Sequence, residues 1–276
     1  MDSRGKNEYA IKILPKMRHI VIDVMEEAYK RHCIHGIFEC EVTKAKKLLA
    51  EYHKKTGTTV SFTAYLIYVI SRAVDKHKLM QGIRVGSKVY IFNDVDVNTI
   101  VERQTLEGEY VPCSIIIRRA NYKGILEIHE EIRGAQSAEL HGTSLGSGKE
   151  AKKTNLMASL PKILRKLLWW KVRHDPLFRK QNLGTMNVSC VGVFAKNAVG
   201  YPLTQTPWPL QFSVGGFSQR QWITETKDVE LHEYLHITCT LDHDVVDGGP
   251  GARFLRFFAD SMADAVGLDD LLKVGQ

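Results

Sequence analysis

Cysteine is scarce and scattered in this sequence of 276 residues. There are five cysteines, an odd number, and no Cys-x-x-Cys pair. This argues against a disulfide framework and fits a reducing compartment, so we expect a cytoplasmic protein. His32, Cys33 and His35 lie close together, but no second ligand pair follows at the spacing of a zinc site. We therefore expect no metal.

Long apolar runs and low-complexity linkers are also missing. The N-terminus is charged and lacks the apolar core of a signal peptide, and no uninterrupted apolar run approaches the roughly 20 residues of a membrane span. With 44% hydrophobic and 25% charged residues, the composition is that of a folded globular protein. We expect one domain over residues 1–276.

Acidic residues are outnumbered, and the formal net charge is +7 with a pI near 9.1. A nucleic-acid-binding protein can have this balance. However, no zinc-finger, RNA-recognition or helix-turn-helix signature accompanies it, so we expect no nucleic-acid partner. A solvated basic surface is the favoured interpretation, and attraction of an anionic substrate is an additional one.

The hydrophobic periodicity predicts an α+β fold. Early helices cover one side of a later, mostly antiparallel sheet. Helices are predicted at 17–31, 43–55, 61–76, from 124 onward and from about 250 to 266. Strands are predicted at 34–42, 83–92, 95–102, 111–118, 186–194, 211–217, 221–226 and 230–242.

Residues 137–180 stand apart in composition. The stretch 137–156 is rich in Gly, Ser and Lys, which is typical of a mobile loop. The stretch 156–180 interleaves leucines and two tryptophans with lysines and arginines, which predicts a basic amphipathic helix. Such a helix can make a peripheral membrane contact or cover a hydrophobic site. The favoured alternative is a helix packed on its own domain with a solvated basic face.

The most informative pattern is His243, Asp247 and Gly248 in the order His-x-x-x-Asp-Gly. Histidine titrates near neutral pH, so it can take a proton from a nucleophile and return it later. The carboxylate could fix local geometry by pairing with a cation, and the glycines allow a tight loop before a helix. Alone, the pattern also fits an ordinary surface turn.

The surrounding sequence resembles a known family, the dihydrolipoamide acyltransferases of 2-oxoacid dehydrogenase complexes, whose superfamily includes chloramphenicol acetyltransferase. The catalytic signature of that family is similar to "LDHDVVDGGPGARFL". Four further segments follow the family order: "LPKMRHIVIDVMEEA", "VSFTAYLIYVISRAVDKHKLMQ", "EYVPCSIIIRRANYKGILEIHEEI" and "LGTMNVSCVGVFA". The resemblance implies a chloramphenicol acetyltransferase-like two-layer sandwich, with a mixed, mostly antiparallel sheet covered by helices. The family often has a shorter connection at this place, so residues 137–180 would be an insertion relative to it.

The resemblance also implies roles for five residues. His243 would be the general base that activates an acceptor thiol, hydroxyl or amine for attack on a coenzyme A thioester. Ser189 would donate to the oxyanion of the tetrahedral intermediate. Asp247 would support the site by pairing with an early arginine, for which Arg18 is the candidate, and Gly248 would support the turn. We expect no metal and no covalently bound lipoyl group.

Assembly follows from the same resemblance. We expect a homotrimer with the active site at the subunit boundary, histidine from one subunit and serine from the next. No lipoyl or subunit-binding domain is recognisable, so we expect a standalone enzyme with a small-molecule or lipoyl-type acceptor. The alternatives are a non-catalytic oligomeric scaffold and the core component of a 2-oxoacid dehydrogenase complex. Two residues depart from the family pattern: Asp244 stands where arginine is common, and Cys190 stands where asparagine is common.

Overall fold

The computed structural model describes residues 9–104, 110–137, 156–190, 192 and 199–274. The predicted α+β architecture is confirmed. The helices are α1 (Met17–Ala28), α2 (Thr43–Thr56), α3 (Phe62–Lys76), α4 (Ile125–Ser137), α5 (Lys162–His174), α6 (Pro176–Leu183), α7 (Gly248–Ala263) and α8 (Leu268–Val274). The strands are β1 (Cys33–Glu41), β2 (Ile83–Val85), β3 (Lys88–Tyr90), β4 (Val97–Gln104), β5 (Tyr110–Ile117), β6 (Met186–Cys190), β7 (Leu210–Ile223) and β8 (Val229–Asp242).

Six of these strands form one mixed sheet in the order β1-β8-β7-β6-β4-β5. β1 and β7 flank β8 as antiparallel neighbours, and β5 is antiparallel to β4. β6 runs parallel to both β7 and β4. β7 is one long strand where the sequence predicted two. Its register shifts between Val214 and Gly216, so the glycines produce a bulge and the strand continues.

One face of the sheet carries the hydrophobic core. α3 is apolar on most sides because it packs between the sheet, α4 and α7. On α7, Phe254 and Phe258 are fully buried, and the Phe258 ring centroid lies 4.9 Å from that of Phe212 on β7. Each such side chain stabilises the fold by roughly 1.5–3 kcal/mol through burial. A Cβ at Gly36 would lie 2.6 Å from Leu255, so the glycine on β1 allows α7 to approach.

The opposite face of the sheet is polar. Alternation along the strands places Asn187, Gln211 and Ser213 there, and all three are buried. The Asn187 amide donates to Gln211 over 3.0 Å, and the Gln211 amide donates to Ser213 Oγ over 2.9 Å. Ser189 lies on this polar face, two residues beyond Asn187. Because successive side chains of a strand point to opposite faces of the sheet, Ser189 lies on the polar face and not in the hydrophobic core.

The basic segment contains the helix α5, which packs on α1 through ion pairs, as the favoured interpretation predicted. α5 buries Arg165, Trp169 and Val172 against the protein and leaves Leu167 and Trp170 exposed. The solvated face carries exposed lysines, as expected, and apolar side chains share that face. The predicted loop 137–156 falls mostly on 138–155, outside the described residues.

Candidate active site

His243 begins the short connection between β8 and α7. Its backbone N–H donates to the His32 carbonyl over 2.8 Å, and the Val246 N–H donates to the Asp242 carbonyl over 3.0 Å. These two bonds fix the main chain on both sides of the histidine. The imidazole itself is 44% exposed, and its Nδ1 lies 3.9 Å from Asp247 Oδ1. Within the described part of the chain, the ring is therefore accessible from solvent.

Asp247 occupies the N-cap position of α7, in extended backbone conformation. Its side chain is 88% exposed. The predicted ion pair with Arg18 is not formed in the described part of the chain, where Arg18 is an exposed residue of α1. The carboxylate lies instead at a helix N-terminus, whose partial positive charge stabilises anions. Gly248 is the first residue of that helix, and a Cβ there would meet nothing within 4 Å.

Asp242, the residue before the histidine, forms a buried ion pair at this loop. Its buried carboxylate pairs with the Arg31 guanidinium, and its Oδ1 also accepts from the Asp244 N–H over 3.1 Å. Arg31 directly precedes His32, whose carbonyl accepts from His243. The pair therefore joins the two segments that hold the histidine. Sequence reasoning missed it, since the partners lie 211 positions apart.

Asp244, the departure from the family arginine, is held by two neighbours. The His32 Nδ1 lies 2.9 Å from Asp244 Oδ1, and the Arg84 guanidinium lies 3.0 Å from Oδ2. The His32 hydrogen bond, with the Arg84 charge, holds the pKa of this carboxyl below its usual range even though burial opposes the shift. Asp244 is therefore an anchored anion and does not act as a proton donor near neutral pH.

A cavity of about 120 Å³ lies beside this loop, and Asp242 and Asp244 line it. Its arginines include Arg31, Arg84 and Arg173, each paired with a carboxylate. The charges in this cavity thus serve to hold α1, α5 and the histidine loop together. Its volume is too small for a nucleotide-sized substrate.

Ser189 is half-buried on β6 and lies opposite Ser213 of β7, which in turn lies opposite Thr238 of β8. Ser189 is thus two strand spacings from β8. The residue of β8 at its level, Thr238, lies five residues before His243. With strands about 4.8 Å apart and a rise of about 3.3 Å per residue, Ser189 and His243 are separated by roughly 19 Å. One chain does not bring them together.

Cys190 faces the other side of β6. Burial raises the pKa of its thiol to about 11, and the Thr63 hydroxyl lies 3.7 Å from Sγ. A thiol in this state is a poor nucleophile. Cys190 therefore acts as a small core residue, as its position in the sequence indicated.

The molecule thus combines an α+β fold, built on a six-stranded mixed sheet, with an exposed histidine in the loop before α7. The family model described as 2-oxoacid dehydrogenases acyltransferase (catalytic domain) matches residues 6–145, which is half of the chain. The chain belongs to this family.

Individual proteins agree with the assignment. The dihydrolipoyllysine-residue acetyltransferase component of the pyruvate dehydrogenase complex from Rickettsia bellii is 22% identical over 262 residues, covering 93% of this chain and 53% of that protein. The chain spans between about a third and about half of the length of the curated relatives it matches.

Two solved structures share the fold. A dihydrolipoamide acetyltransferase from Azotobacter vinelandii has a TM-score of 0.67 at 14% identity, with 94% of each chain covered. A chloramphenicol acetyltransferase has a TM-score of 0.51 at 12% identity, with 87% of this chain and 94% of that chain covered. The predicted chloramphenicol acetyltransferase-like fold is thereby confirmed.

The relatives correct one expectation. They are named for a dihydrolipoyllysine residue, so the acyl carrier on which those proteins act is a lipoyl group attached to lysine. The expectation of no covalently bound lipoyl group in the chemistry is therefore wrong, while the lipoyl-type acceptor, one of the two acceptors expected, agrees with these relatives. The relatives also favour the alternative interpretation, a core component of a 2-oxoacid dehydrogenase complex, over a standalone enzyme with a free acceptor.

Proposed function

We propose that this chain transfers an acyl group between a dihydrolipoyl group on a lysine side chain and coenzyme A, as the catalytic core of a 2-oxoacid dehydrogenase complex. The observation that carries the proposal is the placement of His243. Its imidazole is accessible, while its backbone is fixed by hydrogen bonds on both sides. Family membership supplies the reaction class.

The proposed chemistry begins with the histidine. His243 removes the proton from the attacking thiol, and the thiolate sulfur forms a bond to the thioester carbonyl carbon. The tetrahedral intermediate then collapses, the original carbon–sulfur bond breaks, and the imidazolium returns its proton to the leaving thiolate. General base catalysis of this kind contributes roughly 10²–10⁴-fold to the rate.

Ser189 is proposed as the oxyanion donor, supplied by a neighbouring subunit. In the Azotobacter vinelandii enzyme, a serine, a histidine and an asparagine have been investigated for their roles in the catalytic mechanism. The asparagine lies four positions after the histidine. Here Ser189 and His243 occur in the same order, and Asp247 lies four positions after His243. The roughly 19 Å between them within one chain supports a site completed across a subunit boundary. A trimer is therefore proposed as the smallest active unit.

Asp247 is proposed to stabilise the imidazolium that forms during transfer. Its carboxylate is too far from Nδ1 for a direct hydrogen bond, so the interaction is electrostatic and weakened by solvent. Orientation of the ring is proposed to depend more on the buried Asp242–Arg31 pair, which holds the loop. Arg31 is therefore a positioning residue.

The test is an acyl-transfer assay with acetyl-coenzyme A as donor and three acceptors: dihydrolipoamide, a lipoylated domain after reduction, and a simple amine. We expect thioester formation on both dihydrolipoyl acceptors. His243→Ala should lower kcat by about 10²–10⁴-fold. His53→Ala, an exposed histidine on α2, is the matched control and should leave turnover unchanged. Wild-type turnover in His243→Ala would refute the mechanism, and transfer to the amine alone would refute the acceptor.

A further inference from the structure

The outer face of α5 carries an apolar stripe that the proposed reaction does not use. Ile163, Leu167 and Trp170 recur at i, i+4 and i+7, so they lie in one line along the helix. Their exposed fractions are 81%, 60% and 52%. A contiguous exposed apolar patch marks an interaction surface more often than a single exposed leucine does. We call these three residues the α5 stripe.

The orientation of α5 is fixed by ion pairs on its inner face. Arg165 Nε lies 2.6 Å from Asp23 Oδ2 of α1, and both side chains are buried. Arg173 pairs with Glu27 of α1 over 2.6 Å. Rolling the stripe inward would break the buried pair and leave an uncompensated charge, which is strongly unfavourable. The stripe therefore stays on the surface in this fold.

The charge beside the stripe is positive. Four of the seven lysines and arginines in residues 156–180 pair with carboxylates elsewhere in the chain, so the charge available to a partner comes from the remaining exposed lysines. Lys166 lies on one side of the stripe and Lys171 on the other, and both are exposed. Attraction to an anionic surface would act over roughly a Debye length of 8–10 Å before contact.

We propose that α5 docks on the surface of an anionic lipid bilayer, with the α5 stripe at the boundary of headgroups and acyl chains. A helix with lysines flanking an apolar face that contains tryptophan suits this location. Within the described residues, none of the helices is long and apolar enough to cross a bilayer, so the helix would lie flat. A second copy of the chain suits the stripe less, because self-contact would bring the flanking lysines together.

The experiment is sedimentation of the full chain with two kinds of vesicle, pure phosphatidylcholine and a mixture with phosphatidylglycerol. We expect binding to the mixed vesicles only, weakened by high salt. Leu167→Glu should weaken that binding by about tenfold or more. Leu231→Glu is the matched control, because Leu231 on β8 is also 60% exposed, and it should bind as the wild type does.

Three results would overturn the proposal. The first is absence of wild-type binding to the mixed vesicles, and the second is equal binding by the two glutamate variants. The third is a change of particle mass in Leu167→Glu, by light scattering, with vesicle binding intact, which would make the stripe an interface between copies. Acyl transfer in solution should be the same in Leu167→Glu and wild type. Failure of membrane binding thus stays distinguishable from failure of the proposed reaction.

Discussion

At the scale of the residue, the candidate site contains an ion pair, Arg31 with Asp242, that no local sequence pattern predicts. The spacing of histidine, aspartate and glycine within six positions singles out His243 as a candidate. It gives no sign of the pair between Arg31 and Asp242, because these two residues meet only when β1 pairs with β8. The pair predicted from the family pattern, Arg18 with Asp247, is absent from the described chain. The histidine loop can therefore be predicted from residues that are close in sequence. The ion pair that holds the loop depends on the pairing of β1 with β8.

The Arg31–Asp242 pair predicts a large effect on stability. Arg31→Met should leave the buried Asp242 carboxylate without its ion-pair partner and lower the free energy of unfolding by about 3–5 kcal/mol. Urea denaturation measures this. Arg256→Met is the control, since Arg256 forms an exposed pair with Asp260 on α7 and its loss should change stability by about 0–1 kcal/mol. Equal effects of the two variants would show that Asp242 does not depend on Arg31.

Arg31 should also affect turnover if it positions the histidine. Where Arg31→Met remains folded, we expect kcat to fall with little change in KM, because ring placement matters at the transition state. Arg31→Lys should restore part of the loss, since it keeps the charge without the planar geometry. If Arg31→Met lowers stability and leaves kcat unchanged, Arg31 has a structural role and does not position the histidine.

The depressed pKa of Asp244 predicts a pH effect of definite sign. A carboxyl whose folded pKa lies below its unfolded value stabilises the fold above the ordinary pKa near 4. That stabilisation is lost as pH falls through the folded pKa. His32→Ala removes the largest cause of the shift, so it should raise the Asp244 pKa in a carbon-13 NMR titration. An unchanged titration would contradict the assigned hydrogen bond.

At the scale of the element, periodicity predicted where helices and strands lie better than which way they face. The basic segment was correctly predicted as helical, but its apolar residues form two sets, and only Trp169 and Val172 turn inward. The choice follows from Arg165, whose side chain must reach Asp23. Likewise β7 was predicted as two strands, because glycine in a strand signals either a break or a bulge.

The Asp23–Arg165 pair predicts a non-additive pair of mutations. Arg165→Met alone should destabilise the protein by about 3–5 kcal/mol, because Asp23 would remain buried and charged. Arg165→Met combined with Asp23→Leu should recover most of that loss, since both charges are then gone. Thermal or urea unfolding of the wild type, of Arg165→Met, of Asp23→Leu and of the double variant completes the cycle. Additive effects would mean that the two side chains do not interact.

At the scale of the whole molecule, the fold of one chain separates Ser189 from His243, the two residues that the proposed chemistry needs together. The sheet order puts β7 between Ser189 and the strand that leads to His243. The family resemblance predicted a site built from two subunits, and the single chain is compatible with that arrangement. Sequence alone could not give this separation, because it depends on which strands are neighbours.

The most direct test of the shared site combines two inactive proteins. His243→Ala and Ser189→Ala chains carrying different tags are co-expressed, and trimers that contain both are isolated through the two tags in succession. Each mixed trimer holds one boundary with an intact histidine facing an intact serine, so we expect about one third of wild-type activity. Trimers that stay as inactive as their parents would contradict a site formed by His243 of one subunit and Ser189 of the next.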